Sequence, residues 1–165
     1  MTNSATPKTF SQLPRAGVGR RLAALVYDAL IVAGLLMVYG LLVVPLSSTL
    51  GLLECLPDQR CVGTPLYHTL FPLGMAAVVA SYFIWSWRAA GQTIGMRAWR
   101  LLLASPGGVQ LSWRQCTLRV LMAPLSVACL GLGYFWAWTR TDRASWHDLI
   151  SASEVRLLPK PKKGR

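Results

Sequence analysis

Six ionisable side chains stand inside or at the borders of apolar stretches in this chain: Arg20, Arg21, Asp28, Arg119, His147 and Asp148. Asp28 carries the most information, because the run Leu22 to Val44 around it holds no other charge. A carboxylate at membrane depth costs about 2.5–3.5 kcal/mol even on the lenient insertion scale, so it has to face a protein interior, a cation or a water-filled cavity. Two chemistries follow. A relay would pass a proton or cation through Asp28, and a buried ion pair would fix helix register. The second is preferred, since one intramembrane carboxylate is thin for a transport pathway. Arg21 precedes Asp28 by close to two helical turns and projects from nearly the same face, but about 10 Å away along the axis. The neighbours of Asp28 at the favoured four-residue spacing are Ala24 and Val32, so its partner has to come from another helix. Arg119, at the entrance of a later apolar run, is the expected partner, with Tyr82, Ser81 and His68 as hydrogen-bonding alternatives.

The stretch Thr139 to Asp148 places Asp142, His147 and Asp148 close together, which is the raw material of acid–base work. No nucleophile accompanies them, and a structural role is the better expectation, with Asp148 pairing with Arg21 or Arg97. With two histidines and no closely spaced Cys or His pair, a metal site is not expected. The glycines of Gly91-Gln-Thr-Ile-Gly95 match neither the P-loop nor the dinucleotide spacing, so no cofactor is expected either, and the chain does not read as an enzyme.

The elements that must position these groups are apolar. Hydrophobic residues make up 53% of the chain and charged ones 14%, with a mean hydropathy of +0.42, values rare in a soluble domain of this size. Leu22–Val44 makes a helix of about 34 Å, longer than a hydrocarbon core of roughly 30 Å. Leu66–Trp87 is a second span, closing in Trp85, Trp87 and Arg88 as an interfacial belt. Val120–Trp138 is a third apolar run. The fold class expected is an all-α membrane protein, with two full transmembrane helices and a third segment that either spans or forms a re-entrant helical pair over residues 114–138, broken near Pro124 to Cys129. Gly91 to Gly95 and Ser105-Pro-Gly-Gly108 read as tight turns, and residues 96–104 as an interfacial helix or one strand of a hairpin. The first run is too long for a signal-peptide core and lacks a small-residue cleavage site, so a retained anchor is expected.

Basic residues set the orientation. Lys8, Arg15, Arg20 and Arg21 precede the first span, and Arg88, Arg97, Arg100 and Arg114 follow the second. The segment between, Pro45 to Pro65, holds Arg60 against Glu54 and Asp58. A cytoplasmic N-terminus and an external first loop follow, and seven cations after Trp138 argue for a cytoplasmic C-terminus. The net charge of +11 fits anionic lipid headgroups without invoking nucleic acid. In the external loop, Cys55 and Cys61 are placed to form a small disulfide ring, whereas Cys116 and Cys129 lie in apolar sequence. Residues 1–14 and the basic stretch 158–165 are expected to be mobile tails around a domain at 15–157.

Taken in order, Arg20-Arg21 with Asp28 in the first span, Gly-Gln-Thr-Ile-Gly after the second, Leu-Arg119, and Trp-His-Asp148 before Ser-Ala-Ser-Glu-Val, the chain resembles the RDD family of small bacterial membrane proteins. The resemblance covers about residues 15–157. It implies that the family's arginine is Arg20 or Arg21, its first aspartate Asp28 and its second Asp148. Where family members often carry Ala-Gly-Thr, this chain has Ser151-Ala152-Ser153. The resemblance implies a multi-pass protein of the bacterial inner membrane; the family's molecular role is unsettled, with transport suggested. Two or three spans cannot enclose a path alone, so a homo-oligomer or another membrane protein is expected as partner. The alternative is an accessory or assembly protein whose charges are structural.

Overall fold

The computed structural model describes residues 10–56, 60–128 and 146–159, apart from the side chains of Cys55, residues 123–128, Trp146 and His147. Among the described residues, two helices, α1 (Val18–Thr49) and α2 (Pro65–Ala90), are long and apolar enough to cross a membrane, with mean hydropathies of 2.5 and 1.5 over their most apolar stretches. In those stretches no residue is buried inside the protein, unlike the core helix of a soluble domain. Shorter elements follow: α3 (Ile94–Ala98), α4 (Trp113–Ala128) and α5 (Trp146–Ile150). Four short strands, β1 (Leu53–Cys55), β2 (Cys61–Gly63), β3 (Leu101–Ala104) and β4 (Glu154–Leu157), make two antiparallel pairs, β1 with β2 and β3 with β4. The molecule is therefore mostly helical, and the all-α expectation is corrected by these two ribbons.

The chain divides into two compact units, residues 1–28 with 83–165 and residues 29–82. In the first, the core gathers on β3 and β4. Leu103 stands opposite Val155 in register, and Leu101, Leu103 and Val155 are all buried. The segment before α1 joins this ribbon: Ala16 N–H donates to Val155 O (3.0 Å), and Leu157 N–H to Pro14 O (2.9 Å). A 3-10 turn at Phe10–Gln12 and the buried Leu13 show that the expected tail is held from residue 10 onward, because its apolar groups find cover. Gly91 ends α2 with φ +65, donating its N–H to Trp87 O and accepting from Leu103 N–H (both 2.9 Å). A side chain there would meet the Leu103 carbonyl at 2.8 Å, so glycine both caps the helix and lets β3 approach.

The α4 helix runs unbroken through Pro124 to Ala128, so the break expected near Pro124 does not occur within these residues. Residues 129–145, on which the choice between re-entrant pair and third span rests, lie outside the described residues, as do Cys129, Asp142 and Arg143.

In the second unit, Thr64 caps α2, its hydroxyl accepting from Tyr67 N–H, with Pro65 at the first helical position where a missing N–H costs nothing. Tyr39 donates its hydroxyl to Phe71 O (3.1 Å) and tilts its ring against Phe71 at 5.3 Å. Gly74 lies under that phenol, where any side chain would strike the ring. Between the helices, Cys55 faces Cys61 in the β1–β2 register, and Cys61 is disulfide-bonded. His68 and Ser81 are exposed in this unit, and His68 makes an edge contact with Tyr67.

Candidate functional site

Every described member of the site belongs to the first unit. Asp28 is 3% exposed, at the end of the third turn of α1. Its Oδ2 accepts the Thr93 hydroxyl (2.5 Å) and its Oδ1 accepts the Gly95 N–H (2.9 Å). Thr93 is itself the N-cap of α3, its oxygen accepting from Met96 N–H (3.1 Å). The motif Gly91 to Gly95 is thus explained almost residue by residue. Gly91 turns the chain, Gln92 donates to Leu101 O (2.6 Å), and Thr93 and Gly95 hold the carboxylate. A Cβ on Gly95 would collide with the Ala24 carbonyl and come within 2.9 Å of the Asp28 carboxyl carbon, so only glycine allows α3 to approach α1 here.

The second aspartate is gripped by two guanidinium groups. Arg21 Nη1 donates to Asp148 Oδ2 (2.5 Å), and Arg119 Nη1 lies 2.6 Å from Asp148 Oδ1. All three side chains are at most 8% exposed. Arg119 also donates to Ser153 Oγ (2.6 Å), which shares a hydrogen bond with Ser151 Oγ (2.7 Å), and its guanidinium lies over the Trp87 ring at 5.5 Å. Charge-assisted pairs of this length in a buried setting fix geometry as well as charge. Ala152, between the two serines, adopts φ +45, a left-handed conformation that costs a non-glycine residue about 1–2 kcal/mol.

The structure thus brings Arg21, Asp28, Arg119 and Asp148 into one unit. It places Arg119 on Asp148 and supplies Asp28 with Thr93 and Gly95. These two donors to Asp28 are harder to read from the sequence than a cation, because the hydroxyl and amide lie in a segment that reads as a plain turn; the signal available was Thr followed by a short helix start, an N-cap pattern. Arg20 is exposed, so of the two adjacent arginines Arg21 is the one that enters the site. The His147 backbone lies in α5, and its side chain is outside what is described. Among the described residues no group of His, Cys, Asp and Glu is arranged to hold a metal ion.

A cavity of about 80 Å³ adjoins the cluster, bordered by Arg21, Asp28, Thr93, Arg119 and Trp87, and by apolar side chains from α1, α2, α3, β3 and β4.

No curated protein and no solved structure matches this chain. The model of the RDD family matches residues 15–152, from Arg15 through both aspartates to Ala152. Two apolar spanning helices, an arginine at the start of the first, an aspartate within it and a second aspartate closing on that arginine accompany this match: the chain is an integral membrane protein of the RDD family.

Proposed function

We propose that this protein takes part in moving a small ion or solute across the bacterial inner membrane, working as an oligomer, with Asp28 as the ionisable group of the step. One observation carries the reading: the Asp28 carboxyl borders a cavity of about 80 Å³ together with Arg21 and Arg119, where a sealed structural pair would need none. Two or three spans do not enclose a path, which is why a second copy or another membrane protein belongs to the reading. Both chain ends lie on the cytoplasmic side, basic residues meet anionic headgroups, and the loop with Cys55 and Cys61 faces the oxidising side. The protein is not an enzyme in this reading. Asp28→Asn protein, reconstituted in vesicles, is expected to lose proton- or cation-coupled flux while remaining folded; retained flux overturns the proposal.

A second reading makes the protein an accessory or assembly factor with a structural charge network. It is favoured by the two neutral donors that hold both oxygens of Asp28 and tie α1 to α3. Degradation of Asp28→Asn protein, with no transport by the unsubstituted form, would support it.

A further inference from the structure

The cavity's chemistry narrows what could occupy it, and the inference that follows rests on the cavity being a solute site, as in the proposed function. Arg21 and Arg119 both close on Asp148, and Asp28 borders the same cavity; with Asp28 ionised these are two cations with two anions, so the resting cluster is neutral. A guest with a net charge would be buried there without a counter-ion, which is strongly unfavourable.

The donors and acceptors are unequally used. Both Asp28 oxygens receive donors, and the Thr93 oxygen both donates to Asp28 and accepts from Met96. In contrast, the indole N–H of Trp87 and the Nε–H of Arg21 are buried with no acceptor among the described residues. Both side chains border the cavity, and each is 8% exposed. Buried donors are almost always satisfied, so these two call for an occupant that brings an acceptor. The remaining wall, Leu25, Phe83, Met96, Leu101 and Val155, is apolar and suits a methyl group better than a second polar end. At about 80 Å³ the space is close to half that of a cavity of about 150 Å³ that admits benzene, which limits the guest to about four heavy atoms.

We propose that this cavity binds a small uncharged carbonyl compound of the size of acetamide, its oxygen accepting from Trp87 and Arg21, its amide N–H donating to a second lone pair of an Asp28 carboxylate oxygen, and its methyl group resting on the apolar wall. The test uses three molecules of one shape and different charge, acetamide, acetate and acetamidinium, with the purified full chain in nanodiscs. Saturation-transfer NMR on their methyl signals is expected to show saturable binding of acetamide alone, in the range of roughly millimolar that so small a ligand reaches. Trp87→Phe keeps a ring beneath Arg119 and removes only the N–H, and should weaken binding about tenfold. In the unsubstituted protein, one of the seven indole N–H resonances should shift as acetamide is added, a readout that does not depend on any variant folding.

Equal or tighter binding of either ion, no saturable binding, or no indole shift would overturn the inference. Asp28-dependent cation flux without acetamide binding would sink this inference and leave the transport reading standing. Acetamide binding in protein that moves no solute in vesicles would support the inference and sink that reading.

Discussion

The two units of this protein solve burial in opposite ways. Residues 29–82 form an apolar helical hairpin whose described internal contacts involve no buried charge: a tyrosine against Phe71, a glycine beneath that ring, a threonine cap and a bonded Cys61. The first unit, residues 1–28 with 83–165, encloses two aspartates and two arginines and commits the hydroxyls of Thr93 and Ser153 to them. The difference teaches where specificity lies. Lipid covers an apolar helix without demanding particular neighbours, whereas a buried charge accepts only partners at the right distance.

That contrast can be broken most sharply at Asp148. Asp148→Ala leaves two buried guanidinium groups facing each other, and should cost about 3–5 kcal/mol, read as a large fall in the unfolding midpoint in detergent. An alanine placed at a glycine in each unit then separates rigid from yielding neighbours. Gly95→Ala meets a backbone carbonyl and should cost about 1–3 kcal/mol, more than the roughly 1 kcal/mol of helix propensity that alanine brings. Gly74→Ala meets the phenol of Tyr39, a side chain that can swing aside at the loss of its hydrogen bond to Phe71 O, and should cost no more than about 1 kcal/mol. Equal losses at the two positions would erase the distinction between the units.

Smaller effects sharpen it. Ala152→Gly relieves the left-handed φ and should stabilise the protein by about 0.5–1 kcal/mol in the same unfolding assay. Cys116, fully buried on α4 outside both spanning helices, has its thiol pushed up by burial, against a lowering pull from Arg88 and Arg119. The folded state then holds this proton at a pH where the unfolded chain has released it. Its contribution to stability is therefore complete below the ordinary thiol value of 9.0 and declines as pH rises above it. Maleimide labelling at neutral pH should leave Cys116 unmodified until denaturant is added.

Much of the fold was legible because apolar length alone marks a span: Leu22–Val44 and Leu66–Trp87 lie within α1 and α2. Asp28 announced its burial because lipid would reject it. The ribbon of β3 and β4 was harder to read. Leu101-Leu-Leu-Ala is a short apolar run that serves helix or strand equally well, and its partner, Glu154–Leu157, lies at the far end of the domain. Of the candidate site, Arg21 and Asp148 could be paired by charge and border position, but the donors to Asp28 could not. A backbone N–H is present at every residue except proline, so only the packing of α3 on α1 reveals which one the carboxylate takes.

The salt bridge from Arg21 to Asp148 joins residues 127 positions apart. A ribosome adding roughly 5–20 residues per second releases the arginine seconds before the aspartate that neutralises it. Throughout that interval the first helix holds a cation whose acid has not been made, and for about its first half Asp28 also lacks Thr93 and Gly95, 65 and 67 positions further on. Its early stay in the bilayer has to be provisional, at the interface or in the care of the insertion machinery, and final seating of the helix waits for translation to reach the second aspartate.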